Sequence, residues 1–73
     1  MSAAAFWDAL VGELVSVELT NGRATGRVDE VRNGGSDVAV FLRPDREYAR
    51  ELRIVFSASA AKDVQFIEES HHA

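Results

Sequence analysis

Cysteine is absent from this 73-residue sequence, so it has no disulfide and no thiolate metal ligand. Histidine occurs only as the adjacent pair His71-His72, which is half of a zinc site at most. No cofactor and no metal is therefore expected. There is no apolar run long enough to span a bilayer: Ala3 to Val11 is short and contains Asp8. That stretch also has no basic residue ahead of it, unlike a secretory signal, so a soluble cytoplasmic protein without a membrane partner is expected. Excess positive charge is missing too. The net charge of −4 argues against a broad basic surface that would hold nucleic acid.

What is present is an ordinary globular composition, 47% apolar, in a chain with room for one domain. A domain of this size buries only about 60% of its unfolded surface, so its core is marginal and a staple is usual. With disulfides and metals excluded, oligomerisation remains. Charge is distributed unevenly. All seven arginines lie between Arg23 and Arg53, interleaved with six carboxylates, whereas outside that segment only Lys62 opposes six more. The segment reads either as a solvated mixed-charge exterior or as a local arginine-lined face.

Period-2 alternation organises the chain. Val15, Val17 and Leu19 alternate with Ser16, Glu18 and Thr20, and Asn21-Gly22 follows as a hairpin signal in which both residues tolerate positive φ. Gly26 lies inside the returning strand, where a missing Cβ allows a sharp bend or a close backbone approach. A bent first hairpin is how a very small barrel begins. The expected elements are a helix over about 3–11, capped by Ser2 and ended by Gly12, and strands over about 13–20, 23–32, 37–43, 47–57 and 63–68. Residues 1–68 form the domain and 69–73 a polar tail. Asn33-Gly34-Gly35-Ser36 is a loop, and the apolar alternation on both faces of DVAVFLR makes that strand an internal one. Over 47–57 a helix competes, because Tyr48 and Leu52 are four apart; the run Ile54-Val55-Phe56 favours a strand. Ser57 to Ala61 is a small-residue connector of about one helical turn. The helix is too short to stand alone, so it packs across an open barrel end, with Trp7 as a plug or, less simply, a base-stacking platform.

This order of elements resembles the Sm/LSm family over about residues 4–68. The most specific part is LVGELVSVELTNG, followed by Gly26, Val28 and Val31, which is similar to the family's first motif. Val40-Phe41-Leu42 matches its closing apolar triplet, and Val64-Gln65-Phe66-Ile67 the short strand that closes the second motif. The resemblance implies an all-β fold: a small, strongly bent, five-stranded Sm-like (SH3-type) barrel with a short N-terminal helix. It also implies homo-oligomeric rings of about five to seven subunits, in which the fourth strand of one copy pairs with the fifth of the next. Such rings bind single-stranded RNA near the pore. The sequence departs from the family where it would touch RNA: Ala39 replaces the base-contacting asparagine, and Ala60-Ala61 replace the arginine-glycine pair.

Candidate residues follow from both readings. For RNA they are Arg32, Asn33, Ser36, Asp37 and Lys62, since arginine stacks on bases or forks to phosphate and Asn and Asp read base edges. The same residues also serve as loop formers and solvated charges. Candidate oligomer contacts are Arg53, Val55, Phe56, Val64 and Phe66. Arg43, Arg46, Arg50 and Arg53 form either a phosphate-facing row or ion pairs with Asp45, Glu47 and Glu51. Catalysis is not expected, because no serine has an evident base and adjacent carboxylates such as Asp29-Glu30 face opposite sides of a strand. Two functions remain: an Sm-like ring binding single-stranded RNA, and a small-barrel assembly module that binds no nucleic acid.

Overall fold

A short helix, α1 (Ala3–Asp8), starts where the Ser2 hydroxyl accepts a hydrogen bond from the Ala5 amide at 3.1 Å. The computed structural model describes residues 2–44 and 52–68. The helix ends at Asp8, three residues before the expected limit. Leu10 and Val11 donate to Trp7 and Asp8, three residues back, which tightens the chain into turns. The Gly12 amide then donates to the Val28 carbonyl, so strand contacts take over from helical ones.

The strands are β1 (Leu14–Leu19), β2 (Gly22–Asn33), β3 (Val38–Arg43), β4 (Ile54–Ser57) and β5 (Asp63–Phe66). They form one antiparallel sheet in the order β4-β3-β2-β1-β5, and a 3-10 turn (Ala58–Ala60) precedes β5. The chain is thus mostly β, and β3 is internal as its two apolar faces required. Among the described residues β4 pairs only with β3 and β5 only with β1, so the sheet is not closed by backbone pairing. The fourth strand is shorter than expected: residues 52 and 53 lie outside it, and 47–51 lie outside the described residues. The fifth ends at Phe66, two residues early.

The first hairpin differs in its turn. Leu19 pairs with Gly22, so Thr20 and Asn21 make the loop, and only Gly22 takes a positive φ, 145°. Gly26 has the role expected of it. A Cβ built there would stand 2.7 Å from the Arg43 carbonyl oxygen, so the end of β3 crosses β2 closer than any other residue permits.

A register shift between Val28 and Glu30 inverts the alternation of β2. Ala24, Gly26 and Val28 are buried before it; after it Val31 packs on the core, while Glu30 and Arg32 share a face with Phe41 and Ala39. One unpaired residue therefore moves two charges to the outer face. The core itself is Val15, Val17, Val28, Val40 and Leu42, with almost no exposure, closed by Leu10, Ala24, Val38, Trp7 and Phe56. Trp7 is 3% exposed and meets the Phe56 ring edge-on at 5.5 Å, so it plugs the core.

Candidate functional site

The bulge in β2 and the internal position of β3 together build a charged cluster on the outer face. Phe41 lies beneath two guanidinium groups, that of Arg53 at 4.5 Å and that of Arg32 at 5.1 Å from its centroid. Arg53 also bonds Glu30 at 2.8 Å and lies 3.1 Å from Asp29, which holds Arg43 at 3.2 Å. Arg32 completes the cluster by donating to Glu30. The bonds from Arg32 and then Arg53 hold the Glu30 carboxyl below its usual pKa, and Glu30 in turn raises that of Arg53. Arg43 and Arg53 are thus engaged with Asp29 and Glu30. Their expected partners Asp45, Glu47 and Glu51, like Arg46 and Arg50, lie outside the described residues.

A second cluster sits where the loop between β2 and β3 meets the end of β4. Ser57 donates to the Asp37 carboxylate, 2.7 and 2.6 Å from its two oxygens, and the Val38 amide donates to the same group at 2.8 Å. These bonds, Ser57's first, hold Asp37 ionised below the ordinary aspartate range. The Ser59 hydroxyl lies 2.8 Å from that of Ser57, and so links the 3-10 turn to the loop. Asn33 caps the loop from the other side by accepting the Gly35 amide at 3.1 Å.

Two adjoining grooves result. One, of about 450 Å³, follows the end of β4 and is lined by Arg32, Asp37, Ala39, Val55, Phe56 and Ser57 among others. The other, of about 330 Å³, has Asn33, Ser36, Asp37 and Ser59 on one side and the first residues of α1 on the other. Four of the five residues selected for RNA contact, Arg32, Asn33, Ser36 and Asp37, therefore line one continuous region. Lys62 lines neither groove; its amide donates to the Glu18 carbonyl at 2.8 Å just before β5, and its side chain is exposed.

The five residues selected for oligomer contact are spread over both sheet edges. Val55 is 57% exposed on the outer face of β4, and Phe66 is 61% exposed on β5. Arg53 is held in the outer cluster, and Val64 packs partly on the core. Phe56 points inward, 7% exposed against Trp7.

No family model, curated protein or solved structure matches the chain. Among the described residues no group of three or more His, Asp or Glu side chains is placed to hold a metal ion. No helix among them is long and apolar enough to cross a membrane.

The sequence reading overlooked Ser57, the anchor of Asp37, and the stacking role of Phe41. A signal for Phe41 was available. It stands out of phase with Val38, Val40 and Leu42, so a large ring was bound to face outward. Ser57 carried no such signal, because its partner is 20 residues away.

Proposed function

We propose that this chain is a self-assembling, Sm-like small-barrel protein whose copies join β4 of one to β5 of the next. One observation carries the reading: among the described residues the sheet ends on two different strands, each paired on one side only and each with a large exposed apolar side chain, Val55 and Phe66. Unpaired edges of this kind invite pairing with another chain. Because the two edges are different surfaces, the contact is head-to-tail, and a head-to-tail contact that closes gives a ring. Assembly also supplements a core that a chain of 73 residues builds only sparingly. The strand order and the close approach at Gly26 support the strongly bent barrel of the Sm-like type.

Binding of single-stranded RNA is a second reading, favoured by the continuous groove region of Arg32, Asn33, Ser36 and Asp37. A ring repeats that region around one axis. It offers one guanidinium and several base-edge partners per copy in place of the missing asparagine and arginine-glycine pair. The alternative is assembly without nucleic acid.

Light scattering with and without short U-rich and A-rich RNA separates these readings. The expected result is a mass several times that of one chain, rising with RNA at low salt and losing the increment as salt is raised. A ring that ignores RNA at low salt leaves assembly as the function. A monomer at every concentration overturns the proposal.

A further inference from the structure

Both asparagines of the chain, Asn21 and Asn33, are followed by glycine. An asparagine so placed can cyclise onto its own backbone. The glycine amide nitrogen attacks the side-chain carbonyl carbon, and the new C–N bond closes a cyclic imide. The amide proton passes to solvent, and the side-chain nitrogen takes one up and leaves as ammonia. Water then opens the imide at either carbonyl, which gives aspartate or isoaspartate. Glycine favours the first step because no Cβ shields its nitrogen. Water is the only co-reactant, so the fold decides whether nitrogen and carbon can meet.

Exposure does not separate the two steps, since both asparagines and both following glycines are exposed. Hydrogen bonding does. Asn33 is the last residue of β2 and pairs with Val38. Its Oδ1 accepts the Gly35 amide at 3.1 Å, which fixes the side chain across the loop. The nucleophile is held as well, because the Gly34 amide donates to the Asp37 carbonyl at 2.8 Å. A Gly34 nitrogen without its proton would lose that bond and face a carbonyl oxygen. Asp37 is anchored in turn by Ser57. Asn21 lies instead in the two-residue loop between Leu19 and Gly22, outside the ladder. Among the described residues no hydrogen bond holds its side chain. The space around Gly22 is open too: a Cβ built there meets nothing within 4 Å. A hairpin end of this kind opens more readily than a loop tied on both sides.

We propose that Asn21-Gly22 is a site of spontaneous deamidation and isoaspartate formation in the folded protein, while the bonds around Asn33-Gly34 protect that step. Isoaspartate adds a methylene to the main chain, and loop length sets hairpin register, so conversion at Asn21 loosens the end of the β1–β2 hairpin. Conversion at Asn33 would put a new carboxylate next to Arg32 in the groove region. The hydrogen bonds there spare it. The inference stands apart from the assembly and RNA readings.

The full chain is its own test. Trypsin cuts after Arg23, Arg32 and Arg43, so the two asparagines fall in separate peptides, 1–23 and 33–43. The folded protein is aged at mildly alkaline pH, digested at intervals and read by mass spectrometry, beside a sample held unfolded in urea. In the folded chain Asn21 should convert about tenfold or more faster than Asn33, since the latter must first give up two hydrogen bonds. In urea the two rates should come within about twofold, because each asparagine then has only its glycine as context. Equal rates in the folded chain, or a faster Asn33, would overturn the proposal. So would an Asn21 that stays intact in the folded chain while it converts in urea. A tenfold gap that persists unchanged in urea would overturn it as well, by assigning the difference to local sequence.

Discussion

The interior strands and the two edge strands of this sheet use similar residues to opposite ends. Across β1 and β3, valines and leucines in alternation reach essentially complete burial, as at Val15, Val17, Val40 and Leu42. On β4 and β5, residues of the same chemistry, Val55 and Phe66, remain more than half exposed. Hydrophobicity alone does not tell the two regions apart; the face a side chain stands on and the number of neighbouring strands do, since Phe56 on β4 is buried while Val55 beside it is not. A strand with two neighbours and a covered face has its apolar row consumed by the fold. A strand with one neighbour leaves part of its apolar surface exposed.

The sharpest way to break this comparison is to place the same charge in each region. Phe56→Asp puts a carboxylate into the core against Trp7 and should cost at least about 3–5 kcal/mol, enough to unfold a domain of ordinary stability. Phe66→Asp should leave the monomer folded and abolish assembly. Circular dichroism melts paired with solution mass check both variants. Equal melting temperatures for the two would collapse the distinction between core and edge.

A smaller effect sharpens the account of how the interior is bent. Gly26→Ala adds a methyl group where the Arg43 carbonyl stands 2.7 Å away, and backbone cannot swing aside as a side chain does. A loss of about 1–3 kcal/mol in urea unfolding is expected. A neutral result would mean that β3 crosses β2 with more room than the geometry shows.

The smallest effect lies at the rim of the edge region. Asp37 has a lowered pKa in the folded chain, so its contribution to stability is complete above the unfolded pKa and is lost as pH falls through the folded one. Ser57→Ala removes the main cause and should move the Asp37 titration up toward the ordinary aspartate value. Carboxyl NMR titration reads that shift directly. An unmoved Asp37 would assign the lowering to the Val38 amide instead.

Much of the fold was legible because strands and caps are local events. The alternation in Val15 to Leu19 and in Val38 to Leu42, the Ser2 cap and the helical turn after Ser57 each depend on residues within a few positions. The loop at Asn33 to Ser36 was equally plain from its two glycines. The site was legible in part. Arg32, Asn33, Ser36 and Asp37 are neighbours in sequence and remain neighbours in space, whereas Lys62 lies apart from their grooves and Ser57 joined them from a distant strand.

By itself, then, the sequence determined the order of elements, the apolar rows and the places where the chain had to turn, since periodicity and turn chemistry act over short range. Tertiary structure decided the rest. The shift at Asp29 inverted β2 so that Glu30 and Arg32 faced outward, the approach of Arg43 fixed why residue 26 is glycine, and the sheet order put β4 and β5 at the two ends of the sheet. Each depends on which strand lies next to which, and that choice is made only when separated segments compete for the same core.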